Sequence, residues 1–165
     1  MKAVSASEGF IKNMRNAATL TATAAKNLIE ISANAQKMGI ADSIDPLIKG
    51  MTSTNTLFRE SSQQVKSLLF NSAAAVGRIN ELQNGTILQS KEGIKDMARG
   101  LENQLKLFGV SGVEAIDQMS DEAKMKLNLQ IKAAFGMELG EFRKTIETLK
   151  ESGKGLADRL GDINK

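Results

Sequence analysis

A seam of apolar and small residues at alternating steps of four and three predicts a long first helix. It comprises Phe10, Met14, Ala17, Thr21, Ala24, Leu28, Ile31, Ala35 and Met38. This spacing keeps one helix face against a neighbouring helix. We expect the helix to run from about Ser7 to Met38 and to end at Gly39, since glycine readily adopts the left-handed conformation of a helix C-terminus.

A second seam with the same steps predicts another long helix, from about Thr54 to Gln83. It comprises Phe58, Ser61, Val65, Leu68, Ser72, Ala75, Ile79 and Leu82. Between the two seams, Asp45-Pro46 indicates a loop and a restart, because proline suits the first turn of a helix. Asn84-Gly85 follows the second seam and indicates a turn between helical segments.

The rest of the chain predicts shorter helices. One has Ser90 as its N-cap and ends at Gly109. A short helix starts from a capping box at Ser111–Glu114, in which the Ser hydroxyl and the Glu carboxylate accept from backbone amides, and it ends near Met119. The next begins after Ser120 and reaches Ala134 or Phe135. The apolar positions of the last helix are Phe142, Ile146 and Leu149, and Gly153 and Gly155 loosen the chain before a mobile tail.

One segment leaves a strand open as an alternative. Met125, Leu127, Leu129 and Ile131 alternate with polar residues, which is the period of a strand. Only Ile131 is β-branched and no turn residues bracket the run, so we expect a helix.

These segments predict an all-α protein with two long amphipathic helices followed by three to four shorter ones, either extended or folded into a bundle. We expect two parts: residues 1–83 with the two long helices, and residues 84–165 with the shorter helices and the tail. Six aromatic residues, all Phe, leave few large anchors for a thick core.

Composition argues against an enzyme. The chain contains no His, Cys, Trp or Tyr, so acid–base or nucleophilic chemistry would rest on carboxylates, Lys and hydroxyls alone. We expect no catalytic residue, no cofactor and no metal site. The acids Asp121, Glu122, Glu138 and Glu141 fall in predicted first helix turns, where carboxylates stabilise the helix dipole.

Charge and hydropathy limit the partners further. The net charge of +3 comes from residues 1–82, with nine Lys/Arg against six Asp/Glu, and residues 83–165 carry thirteen of each. No dense basic stripe results, so nucleic acid is not indicated. The start lacks the apolar run of a secretory signal, and no apolar stretch is long enough to span a membrane.

A short motif recurs at predicted helix ends. Phe108-Gly109-Val110 and Phe135-Gly136-Met137 lie 27 residues apart, and a looser copy begins at Met38-Gly39-Ile40. Each fits an ordinary helix end, at which Gly takes the left-handed position and the next apolar residue packs back.

Together with the low-aromatic helices rich in Ala, Ser, Thr, Gln and Asn, these helix ends resemble segments of bacteriophage tail tape measure proteins and neighbouring virion-internal helical proteins. The chain is shorter than a tape measure protein and lacks that family's long apolar segment. The resemblance therefore implies a fragment or a small companion protein. It would pack with copies of itself or with tube proteins inside a virion.

From this we expect a structural, self-assembling, coiled-coil-like phage tail component. The expected helix-seam interaction residues are Phe10, Met14, Leu28, Ile31, Met38, Phe58, Val65, Leu68, Ile79 and Leu82. The expected helix-end turns lie at Gly39, Gly85, Gly109 and Gly136.

Two alternatives stay open. One is a helical effector or translocator exported by a needle-type secretion system, which would be secreted without a Sec signal or reside in the cytoplasm. The other is a small DNA-binding regulator, in which Gly112 to Leu129 forms a helix-turn-helix. Against the regulator, the second helix of that motif starts with two acids that would face the phosphates.

Overall fold

The computed structural model describes residues 22–52 and 62–164, with side chains described as far as residue 154. Within these residues the protein is all-helical and contains no strand. The helices are α1 (Ala22–Lys37), α2 (Ala41–Thr52), α3 (Gln63–Ala75), α4 (Ile79–Gln83), α5 (Lys91–Lys106), α6 (Val113–Asp117), α7 (Asp121–Phe135) and α8 (Leu139–Asn164). A 3-10 turn at Ile87–Gln89 lies between α4 and α5. The predicted all-α class is confirmed.

Helix α5 lies at the centre of the fold. Its apolar face packs on α8 and on α3, and α1 covers another side of α8. Ile94, Met97, Leu101 and Leu105 supply the α5 part of the core and are almost completely buried. The core also contains Leu28 and other residues from every described helix, so residues before and after position 83 share it.

The predicted continuous helix from Thr54 to Gln83 is wrong. Helix α3 ends at Ala75 and α4 begins at Ile79, because Gly77 takes a φ of 70° and the Arg78 amide donates to the Ala73 carbonyl at 2.8 Å. Arg78 then donates through Nε to Asp96 Oδ2 at 2.6 Å and anchors the break on α5. The part of the prediction at residues 54–61 lies outside the described residues.

The first seam helix is described from Ala22 onward, and it ends as predicted. Gly39 has a φ of 75° and the Ile40 amide donates to the Ala35 carbonyl at 2.9 Å, which closes the helix end. Residues 1–21 of the prediction lie outside the described residues.

The loop predicted at Asp45-Pro46 is a helix. α2 starts at Ala41, and the Ile40 carbonyl accepts from the Ser43 and Ile44 amides, so Pro46 lies inside α2. A proline there removes the donor to the Asp42 carbonyl. Asp42 and Pro46 both lie on the exposed side, where water can satisfy that carbonyl.

Two helix starts are as predicted and one is not. The Ser90 hydroxyl accepts from the Gly93 amide at 3.0 Å, and the Ser120 hydroxyl accepts from the Ala123 amide at 3.2 Å. The capping box at Ser111–Glu114 is absent, since the N-cap of α6 is Gly112, which has no side chain to accept from the helix amides. Glu102 of α5 replaces it, since its Oε2 accepts from the Val113 amide at 3.1 Å.

The last helix is longer than predicted. The backbone of α8 stays helical through Gly153 and Gly155 to Asn164. Gly153 is required where α8 crosses α5, because a Cβ there would lie 2.2 Å from Lys95 Cγ and 3.2 Å from the Lys91 carbonyl oxygen. The glycine that predicted a loosened chain therefore permits a close helix contact.

Three aromatic rings join the C-terminal helices. Phe135 meets Phe108 edge-on, with 6.0 Å between ring centroids, and stacks on Phe142 at 5.6 Å. Edge-to-face and stacked pairs of this kind add stability beyond area burial. The end of α7 is therefore held against α8 and the end of α5.

Candidate functional surface

Helix α7 has apolar residues on two opposite faces. Leu127, Ile131 and Phe135 are buried, whereas Met125 is 68% exposed and Leu129 is 63% exposed. Residues two apart on an α-helix point in nearly opposite directions, since each residue turns about 100°. The alternation that suggested a strand thus builds an inner face on the core and an outer apolar face in solvent, and the predicted helix is confirmed.

Other helices also expose large apolar side chains. They are Ile29 on α1, Phe70 on α3 and Leu107 at the end of α5, the last of which is 72% exposed. Exposed apolar residues that lie singly are normal on protein surfaces. The α7 pair differs because Met125 and Leu129 are neighbours one helical turn apart.

A cleft of about 630 Å³ lies between α2, the start of α3 and the corner between α7 and α8. Its acidic groups are Asp42, Asp45 and Glu141, and Lys49 lies among them. Partial burial raises the pKa of the Asp45 carboxyl, and the neighbouring Asp42 raises it further, while Lys49 opposes both effects. Ser43 donates a hydrogen bond to Glu141 and joins α2 to the first turn of α8.

This cleft offers no recognisable metal centre. Within the part of the chain that the structure describes, no three His, Cys, Asp or Glu side chains are grouped so as to hold a metal ion. Glu141 also caps its own helix, since its Oε1 accepts from the Glu138 amide at 3.4 Å. Of the acids expected in first helix turns, Asp121 and Glu122 lie in the first turn of α7 and Glu141 in that of α8, while Glu138 directly precedes α8.

A second cleft, of about 420 Å³, lies between α5 and α8 and is lined by charges of both signs. Arg99 Nη2 lies 2.5 Å from Asp96 Oδ1, and Lys150 Nζ lies 3.1 Å from Glu102 Oε1. Because acids and bases alternate along it, the cleft presents no continuous patch of one charge.

Arg143 of α8 fixes the end of α6. Its Nη2 donates to Asp117 Oδ2 at 2.8 Å, a second nitrogen bonds the other carboxylate oxygen, and Nε donates to Glu147 Oε1 at 3.0 Å. Hydrogen bonding to the guanidinium lowers the pKa of Asp117, and the two carboxylates raise the pKa of Arg143. This two-pronged contact holds the short helix α6 on α8.

The structure places the expected seam residues mostly inside the chain's own core. Leu28, Ile31, Leu68 and Leu82 are fully buried, and Met38, Val65 and Ile79 pack against the core. Phe10, Met14 and Phe58 lie outside the described residues. The seven described seam residues thus hold helices of one chain together.

The four glycines expected at helix ends all have positive φ. The values are 75° at Gly39, 73° at Gly85, 81° at Gly109 and 71° at Gly136. At Gly109 the chain closes the end of α5, where the Val110 amide donates to the Leu105 carbonyl at 3.1 Å. The repeated motif therefore coincides with ordinary helix ends.

The exposed apolar face of α7 was not among the expected site residues. The sequence did contain its signal, since the alternation of Met125, Leu127, Leu129 and Ile131 inside a helix requires two opposite apolar faces. The expected seams did not include it because each seam follows a single face of its helix.

None of the described helices combines the length and the hydrophobicity that crossing a membrane requires. Comparison of the chain with models of known protein families, with curated protein sequences and with solved structures found no match.

Proposed function

We propose that this protein is a non-enzymatic structural protein that assembles with copies of itself, as a tail-interior component of a phage virion. The observation that carries the proposal is the set of large apolar side chains that the described helices hold in solvent, above all Met125 and Leu129. The free energy falls when a partner surface covers apolar groups on fixed helices.

The burial of the expected seams favours other surfaces for assembly. Leu28 and Leu68 of the expected seams lie in the chain's own core and cannot reach a partner without unfolding. The outward side chains of α1, α3, α5 and α7 are free of that constraint. Assembly between folded helical domains therefore fits the geometry better than an extended coiled coil of the two seams.

The phage assignment rests on the resemblance of the low-aromatic helices and the Phe-Gly helix ends to tape measure proteins. An interior virion protein needs surfaces that pack, and helices with small polar residues suit a narrow lumen. A secreted helical protein and a DNA-binding regulator are the rival outcomes.

The test compares the wild-type chain with a variant in which Ile29, Phe70, Leu107, Met125 and Leu129 are all replaced by Gln. Each position is exposed, so we expect the circular dichroism spectrum to be preserved. In sedimentation velocity, the wild-type chain should show a sedimentation coefficient that rises with concentration, and the variant should stay monomeric. Identical behaviour of the two proteins would refute assembly through these surfaces.

A second measurement addresses the regulator. We expect the wild-type chain to cause no shift of duplex DNA at low salt. A salt-dependent shift would instead support the helix-turn-helix alternative at α6 and α7.

A further inference from the structure

The outer face of α7 extends beyond Met125 and Leu129 in both directions along the helix. Glu122, Met125, Leu129 and Lys132 follow steps of three, four and three, so they lie along one stripe of the helix. All four are exposed, and the opposite stripe is buried against the core. The stripe has an acid at its N-terminal end, two apolar residues in the middle and a base at its C-terminal end.

The order of these residues is symmetric about Leu127. Positions 122 and 132 are equally distant from 127, and so are positions 125 and 129. When two copies of α7 lie antiparallel and cross at Leu127, Met125 of each copy therefore meets Leu129 of the other. Glu122 of each copy then meets Lys132 of the other, so one two-fold axis forms both kinds of pair twice.

The charges select this direction. In a parallel pair, Glu122 would face Glu122 and Lys132 would face Lys132, and like charges repel. Lys132 also forms an ion pair with Glu138 of its own chain, at 3.1 Å between Nζ and Oε1. An ammonium carries three donors, so Lys132 can hold both carboxylates.

We propose that a second copy of this chain docks on the outer face of α7 by this antiparallel pairing. The contact is small for a protein interface, so the dimer is weak, with a dissociation constant on the order of 0.1 to 1 mM. Lys126 flanks the stripe close to the two-fold axis, so the Lys126 side chains of the two copies lie near each other. Their like charges repel, which keeps the association weak.

This pairing is independent of the phage assignment and adds a defined interface to it. A two-fold pair runs in opposite directions and is closed. The free protein would therefore dimerise through α7, and the pair would have to open before copies lined up in one direction along a tube.

The test is a charge swap followed by sedimentation equilibrium. Glu122→Lys places two bases together at both ends of the pair, and Lys132→Glu places two acids together. Each single variant should weaken dimerisation by about tenfold or more, because two symmetry-related pairs change at once. The double variant E122K/K132E restores opposite charges and should return the dissociation constant to within about threefold of the wild-type value.

The double variant separates pairing from folding. Both substitutions oppose the dipole of α7, since a base then lies in the first turn and an acid in the last. Recovery of dimerisation in the double variant cannot come from a more stable helix. Matched controls are Glu114→Lys in the first turn of α6 and Lys144→Glu on α8, both at exposed positions, and these should leave the dissociation constant unchanged.

Because the chain has no cysteine, single thiols give a second, positional test. An oxidised mixture of Met125→Cys and Leu129→Cys chains should form mainly mixed disulfide dimers, which mass spectrometry distinguishes from the two homodimers. A random mixture of the three species would overturn the antiparallel register.

The outcomes distinguish this pairing from the proposed function. A wild-type chain that associates equally well in all charge variants overturns the α7 interface and leaves assembly through other surfaces in place. A double variant as weak as the single ones also overturns the interface. A wild-type chain that stays monomeric near 1 mM overturns the interface and the proposed assembly together.

Discussion

Gly100 of α5 lies directly against the backbone of Ser72 in α3: a Cβ at position 100 would stand 2.2 Å from the Ser72 carbonyl oxygen. No side chain fits in that space. The Ser72 hydroxyl turns back onto its own helix and donates to the Leu68 carbonyl at 2.6 Å. The two helices therefore cross with their backbones almost in contact, and glycine at position 100 sets their distance.

We expect Gly100→Ala to destabilise the fold although alanine favours helices. The added methyl group forces α3 and α5 apart, an overpacking that costs about 1 to 3 kcal/mol. The matched control is Gly140→Ala in α8, where nothing lies within 4 Å of the added Cβ. That change should be neutral or stabilising by up to about 1 kcal/mol. Urea unfolding of both variants checks the difference, and equal midpoints would contradict the close crossing.

A charge at Leu68 should unfold the domain. Leu68 is completely buried between α3 and its neighbours, so Leu68→Asp leaves an unpaired carboxylate in the core, at a cost of several kcal/mol, about 4 or more. Leu107→Asp introduces the same group at an exposed position and should retain the helical circular dichroism signal. Retained helicity and an unchanged unfolding midpoint in Leu68→Asp would show that Leu68 does not lie in the core.

The acidic cleft leads to a prediction about pH. Burial and Asp42 raise the pKa of Asp45 in the folded protein above its ordinary value of 3.8. Ionised Asp45 therefore opposes folding, and this penalty grows as the pH rises through the folded pKa. We expect Asp45→Asn to be more stable than the wild type at pH 7. The advantage should disappear below pH 3.8, where Asp45 is protonated in both states.

Thermal unfolding at a series of pH values would measure this difference. A variant that is less stable than the wild type at neutral pH would mean that attraction to Lys49 outweighs burial at Asp45.

The contact between Asp117 and Arg143 makes the stability of the fold depend on pH in the opposite direction. Arg143 lowers the pKa of Asp117 in the folded protein, so the ionised carboxylate contributes stability above the unfolded value of 3.8. That contribution is lost as the pH falls through the lower folded pKa. Asp117→Asn should therefore be less stable than the wild type at pH 7 and equal to it in strong acid.

Salt should reduce the effect of Asp117→Asn, because Asp117 is exposed. Glu114→Gln, an exposed acid one turn earlier in α6, serves as the control. A difference between wild type and Asp117→Asn that does not change with pH would exclude a role for the Arg143 contact.

Patterns within a single helix were sufficient to predict much of this fold. Helix ends at Gly39 and Gly109 and the caps at Ser90 and Ser120 depend on local hydrogen bonds, which short sequence motifs encode. The buried positions Phe142, Ile146 and Leu149 of α8 followed from their apolar spacing. Such signals involve residues that are close along the chain.

Other features depend on contacts between distant residues. The space beside Gly100 is set by Ser72, and the start of α6 is capped by Glu102 of another helix. Gly77 breaks the second seam although the three-four spacing continues through it, so periodicity alone could not locate the end of α3. The seam spacing left open whether the helices pack within one chain or between copies, and the described seam residues pack within one chain.

The exposed face of α7 lies between these two cases. Its residues were identified in the sequence as an alternating run, but the helix had to be oriented on the core before one half of the run became a surface. Leu127 and Ile131 orient it, since they are buried against neighbouring helices. Met125 and Leu129 then have to face solvent or a partner.

Self-assembly of the folded chain is best tested by light scattering behind a sizing column, at eluted protein concentrations of about 0.1 mM and about 1 mM, which span the dissociation constant expected for the α7 dimer. We expect a mass above 17.8 kDa that increases with concentration, because exposed apolar faces associate more as the protein concentration rises. A mass of 17.8 kDa at both concentrations would contradict the assignment of this protein as one that assembles with its own copies.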